Sequence, residues 1–146
     1  MKASDFFNDN EKKAIVEAIR NAELDTSGEI RVHIELHCKS SDVRDCAANA
    51  FAMLKMHKTK LRNGVLFYIA VLDRKFAIIG DVGINKVVPP NFWDEIKEKM
   101  ENFFKEEKFV EGLITGIMMA GEKLKVYFPR MYEDINELSD EISFEQ

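Results

Sequence analysis

A chain of 146 residues, 46% hydrophobic and 32% charged, has the size of one domain with one core and too much apolar content for global disorder. Its net charge of −5 disfavours nucleic acid, whose phosphates select clustered Lys and Arg, and suits a cytoplasmic protein or one that collects cations. Two cysteines, Cys38 and Cys46, are too few for a disulfide framework, and the fold is expected to stand without a disulfide. The first ten residues lack the apolar stretch of a signal peptide, and the run Leu113 to Ala120 is too short to span a bilayer, so no membrane segment is expected.

Asn8 followed by Glu11 has the spacing of a capping box, and Ile15, Ala18, Ile19 and Ala22 then recur at helical spacing up to about Glu23. Asp25 to Gly28 is a turn cluster. Strict alternation follows: Ile30, Val32, Ile34, Leu36 and Cys38 share one face of a strand, and Glu29, Arg31, His33, Glu35 and His37 the other. A strand with so polar a face belongs at a sheet edge or under partial cover.

Ser40-Ser41-Asp42 caps a second helix whose buried stripe runs through Val43, Cys46, Ala47, Ala50, Phe51 and Leu54. Val65 to Leu72 is almost wholly apolar and reads as a central strand covered on both faces. Asp73-Arg74 makes a hairpin turn into a return strand, Phe76 to Ile79, and a short further strand can be read at Asn85 to Val88. Asn91 caps a third helix carrying Phe92, Trp93, Ile96, Met100 and Phe103, and a fourth runs from about Phe109 to Tyr127. Gly112 and Gly116 in that helix read as close packing in a soluble protein. Residues 1–130 thus form the domain. The acidic tail, 131–146, holds Ile135, Leu138 and Ile142 at helical spacing, and two readings stand for it, a docked helix or a frayed end.

A helical crossover makes the first two strands parallel, and the hairpin makes the second and third antiparallel. Gly28-Glu29, Arg62-Asn63-Gly64 and Gly80-Asp81 should therefore share one end of the sheet, with Asp73, Cys38 and the start of the second helix at the other. The first cluster offers Glu29, Asn63 and Asp81 among glycine turns, oxygen donors that suit Ca²⁺ or Mg²⁺. The competing reading makes Asp81 and Glu29 ordinary loop polars with Arg62 as ion-pair partner.

Three segments together carry a resemblance: Thr59-x-x-Arg62-Asn63-Gly64-Val65-Leu66, Asp73-Arg74-Lys75, and Ile79-Gly80-Asp81-x-Gly83-Ile84. With Ser27-Gly28-Glu29-Ile30, Phe109-x-x-Gly112 and Phe128-Pro129, they resemble the core of the TPM domain family over roughly Glu11 to Pro129. The resemblance implies an α/β/α sandwich, a small mixed sheet flanked by helices, and a family in which some members are described as calcium-binding and others as acid phosphatases. The commoner family pattern has Asp where this chain has Arg62, and G-Y-G-L-E where it has Gly80 to Asn85. Asn85 then falls near the family's acidic position, which extends the expected cation set to Asp81, Glu29, Asn63 and Asn85.

Two other patterns are discounted. Cys38-x5-Arg44 has the spacing of a cysteine-phosphatase signature, but its loop has no glycine and Asp42 would repel phosphate. His33, Glu35 and His37 could meet Zn²⁺ only with a ligand from a crossing element, so a polar face near solvent is the simpler reading. The expectation is a divalent-cation-binding accessory module, with an unidentified protein partner and no nucleic acid. The alternative is a metal-dependent phosphatase.

Overall fold

The computed structural model describes residues 1–130 and 137–145. After a 3-10 turn at Ala3–Asp5 come α1 (Asp9–Ala22), β1 (Glu29–Glu35), α2 (Val43–Met53), β2 (Gly64–Ala70) and β3 (Lys75–Gly80). Then follow α3 (Val82–Asn85), α4 (Asp94–Lys105), α5 (Phe109–Tyr127) and β4 (Ser143–Phe144). The capping box at α1 is closed in both directions: Glu11 N–H donates to Asn8 Oδ1 at 2.8 Å and Asn8 N–H to Glu11 Oε1 at 2.9 Å. Asp42 caps α2 by accepting from Arg44 N–H at 3.0 Å.

The sheet order is β3-β2-β1-β4, with β1 parallel to both β2 and β4 and β2 antiparallel to β3. Every residue of β2 is buried, as expected of a strand covered on both faces. Ile30, Val32 and Ile34 of β1 and Val65, Phe67 and Ile69 of β2 pack under α1, α4 and α5. Leu66, Tyr68 and Ala70 pack under α2 with Ala47 and Ala50. The result is the expected α/β/α sandwich. The glycines of α5 do serve close packing: a Cβ on Gly121 would sit 2.6 Å from the Ala22 carbonyl oxygen of α1, and those on Gly112 and Gly116 would strike Phe104 and Met100 of α4.

Four expectations are corrected. The segment after β3 holds no strand at Asn85 to Val88; Asp81 instead starts the single turn α3, because its carboxylate accepts from Val82 N–H at 2.7 Å. β1 is not an edge, since β4 pairs along it at His33 and Ile34. The described part of the tail is extended rather than helical: Ile142 and Phe144 pack against the main core, Leu138 against the smaller one, and Ile135 lies outside the described residues. Two carboxylates finish this side of the sheet where β4 stops, Glu23 Oε2 accepting from Ile30 N–H at 2.7 Å and Glu145 Oε1 from Leu36 N–H at 2.6 Å.

The fourth correction concerns the cysteines. β1 ends at Glu35, so Cys38 is a loop residue, and it is bonded to Cys46 of α2 across a Cα–Cα distance of 5.9 Å. Two cysteines make no framework, but one bridge needs only two, and here it ties the loop after β1 to α2. Reduction, or Cys46→Ser, is expected to cost about 2.5 kcal/mol, the chain-entropy value for so short a loop. Melting curves with and without reductant check this; superimposable curves rule it out.

The candidate cation edge

The turns expected to meet do meet. Glu29 is paired with Gly64, Glu29 N–H donates to Asn63 O at 3.3 Å, and Asp81 N–H donates to Gly64 O at 2.9 Å. At the opposite end Asp73 accepts from Cys38 N–H at 2.7 Å and lies 2.7 Å from His37 Nδ1, which together hold its carboxyl below the usual range.

Asp81 is buried, with a side chain only 3% exposed, and Arg62 grips it through two bonds, Nε to Oδ2 at 2.8 Å and Nη2 to Oδ1 at 2.9 Å. Such a fork is the favoured geometry for a guanidinium on a carboxylate, and it pushes the Arg62 pKa further up. The ion pair of the competing reading is thus present. Arg62 itself sits at φ 52°, in the left-handed region that disfavours most side chains and tolerates Asp and Asn better. The preceding turn is pressed onto α3: Gly83 N–H donates to Arg62 O at 2.9 Å, and a Cβ on Gly83 would lie 2.1 Å from the Leu61 carbonyl oxygen. Only glycine fits there.

Both amides of the expected set use their donors locally. Asn63 Nδ2 reaches Ser27 O at 3.2 Å and Ser27 Oγ at 3.4 Å, Asn63 N–H donates to Thr59 Oγ1 at 3.3 Å, and Asn85 Nδ2 donates to Gly80 O at 3.0 Å. What each can still offer a cation is its Oδ1. The hydroxyls of Ser27 and Thr59 were not singled out from the sequence; they brace the Asn63 turn.

Glu29 faces elsewhere. Its carboxylate accepts the Leu138 N–H of the tail, and Met56 and Leu138 fill the space above Gly64, the residue between Glu29 and Asp81 on this rung. Two strand spacings, roughly 10 Å, separate the Cα atoms of the two acids. The structure thus places Asp81 with Asn85 at the end of β3, turns the Asn63 side chain toward Ser27 on the β1 side, and holds Glu29 under the tail. Among the described residues no three His, Cys, Asp or Glu side chains are arranged to hold a metal ion.

On the polar face of β1, read as a solvent face, Glu29 and His33 are buried and Arg31 and Glu35 half-buried, while His37 beyond the strand is exposed. His33 is fully buried, with Nδ1 3.0 Å from Ser143 Oγ and Nε2 3.1 Å from Glu35 Oε2, and Tyr68 OH also donates to Glu35. Burial pushes the Glu29 carboxyl up to about 7, against the Leu138 and Glu137 N–H groups that favour its ionised form. Burial, reinforced by a hydrogen bond with Asp140, pushes Glu23 up to about 9. Both values lie above the ordinary 4.5, so folding takes up protons: this contribution to stability is complete below about 4.5 and is lost as pH rises toward 9. Glu23→Gln mimics the protonated acid and retains an oxygen for Ile30 N–H. It should flatten the fall in melting temperature between about pH 5 and about pH 9, and a variant with the wild-type slope would show that Glu23 is not responsible.

A mixed four-stranded sheet between helical layers, with glycine-rich turns braced at one end, defines an α/β/α domain of a recognisable kind. The TPM domain profile matches residues 1–123, and the chain belongs to that family. It is similar to the BA42 protein of the psychrophilic bacterium Bizionia argentinensis, known from an NMR structure, with 50% identity over 96% of each chain and a TM-score of 0.90. The fold also matches the N-terminal domain of a protein from P. gingivalis, at 16% identity over 84% of this chain and 78% of that one, TM-score 0.68. The N-terminal domain of the cg2496 protein of Corynebacterium glutamicum matches at 12% identity over 83% and 76%, TM-score 0.66. No curated protein matches the sequence.

Proposed function

We infer that this TPM domain is a divalent-cation-binding accessory module, with Ca²⁺ or Mg²⁺ received at the Asp81 edge. The observation that carries the reading is the Asp81 carboxylate, buried within the fold yet neutralised by a guanidinium that is 44% exposed. Arg62 is in effect a resident cation on a long side chain that can swing into water. An inorganic cation that displaces it gains the Asp81 oxygens, the Oδ1 atoms of Asn63 and Asn85 and nearby carbonyls. Glu29 joins only when Leu138 releases it. Competition from Arg62 keeps the affinity modest, roughly 10⁻⁴–10⁻³ M, in the range of weak Ca²⁺ modules.

Two variants pull in opposite directions. Asp81→Asn should abolish measurable binding of Ca²⁺ and Mg²⁺. Arg62→Asp removes the competitor, supplies a carboxylate at a backbone position suited to it, and should tighten Ca²⁺ at least about tenfold, since affinity in such sites follows ligand charge. The same variant should melt lower than wild type in chelator and recover when Ca²⁺ is added. Calorimetry and amide shifts measure both; unchanged affinity in either variant defeats the assignment. A phosphomonoester assay on the same samples decides the alternative, because metal-stimulated turnover that disappears with Asp81→Asn would make the edge a phosphatase centre.

A further inference from the structure

The opposite side of the sheet is open. β3 pairs only with β2, in a register that sets Val65 against Gly80, and Asp81 N–H donates to Gly64 O at 2.9 Å. The alternation of an antiparallel ladder then aims the main-chain groups of Lys75, Ala77 and Ile79 at β2 and those of Phe76 and Ile78 outward. Asn85 Nδ2 covers the outward carbonyl of Gly80 at 3.0 Å. The outward N–H and C=O groups of Phe76 and Ile78 have no hydrogen-bond partner among the described residues.

The Lys75–Phe76 end of this edge lines a cleft of about 470 Å³ between α2 and α4, and Ile78 beyond it is 6% exposed. Val43, Phe76 and Phe104 give it an apolar floor, the two rings meeting edge to face at 5.1 Å. Its rim carries Arg74, Lys75 and Lys105 against one acid, Glu101. Arg74 is paired with Glu107, but Lys75 and Lys105 are exposed and make no ion pair among the described residues. With Arg74 paired to Glu107, the rim keeps Lys75 and Lys105 against Glu101, a small positive excess on a protein of net charge −5, with Asp73 near Lys75 and main-chain donors and acceptors at the base.

We propose that the β3 edge is a docking groove for an extended acidic segment of another protein, which adds to the sheet as a fifth strand. Strand addition satisfies the Phe76 and Ile78 main-chain groups. Because side chains alternate along a strand, an apolar set lies on Phe76 and Phe104 while an acidic set reaches Lys75 and Lys105. The charge selects the segment and the ladder holds it.

The test uses a blocked peptide alternating Glu and Val, with a Lys and Val peptide as control, titrated into the isotopically labelled chain without added divalent cation. The Glu–Val peptide should move the Phe76 and Ile78 amides most and slow their hydrogen exchange, and the control should not. Lys75→Glu combined with Lys105→Glu, both at exposed positions, should weaken binding at least about tenfold while leaving the melt unchanged. The proposal is overturned by equal binding of the two peptides, by no shift at millimolar peptide, or by shifts confined to β1 and β4. Concentration-dependent dimerisation that moves the same amides would assign the edge to a second copy of this chain instead.

Discussion

Complete burial of β2 is the constraint on which the rest of the molecule depends. A strand with no solvent-facing residue must be covered by a layer on each side and by a paired strand along each edge. α1, α4 and α5 cover one face with a large apolar cluster. The other face is served by the short α2, whose buried side chains are two alanines, and its cluster is correspondingly small. That deficit is made up by groups outside regular elements: Met56 after α2, Leu138 from the tail, and the Cys38–Cys46 bond that fixes α2 to the loop after β1.

The weak layer also explains the acids beneath the tail. Glu23, Glu29 and Glu35 would face water if the sheet ended at β1. The crossing tail buries Glu23 and Glu29, half-buries Glu35 and supplies partners at the same time, with Leu138 N–H on Glu29, Asp140 on Glu23, and Ser143 on His33 beside Glu35. Desolvation is offset by hydrogen bonds rather than by opposite charges, so two of these carboxyls hold protons far above the usual range.

Local signals announced most of the fold. The capping box at Asn8, the alternation from Glu29, the apolar run of β2 and the Asp73-Arg74 turn each state a backbone choice within a few residues. Topology then placed Glu29, Asn63 and Asp81 at one end without reference to side-chain contacts. What escaped was set by contacts distant in sequence. Ser143 pairs with His33 across 110 positions, and nothing in an acid-rich tail marks two of its residues as a strand. The polar face of β1 looked solvent-exposed because its cover comes from that tail. The choice between Asp81 as ligand and Asp81 as ion-pair partner of Arg62 stayed open because the fork depends on the left-handed turn that aims it, and Arg is not a residue whose presence announces that turn. Glu23 read as a helix terminus, although its carboxylate ends up standing in for a strand carbonyl on Ile30.

That substitution of carboxylates for carbonyls gives the sheet a direction of growth. On the β1 side the ladder is only two residues long and ends at Glu23 and Glu145, whose side chains consume the donors that another strand would need. On the β3 side the backbone continues unblocked to Phe76. A sheet that can extend from both edges stacks into filaments; one that can extend from a single edge closes after a single addition, whether the added strand comes from a peptide or from the matching edge of a like molecule. With only the two residues of β4 to pair against on the other side, growth through the β3 edge favours pairs over filaments.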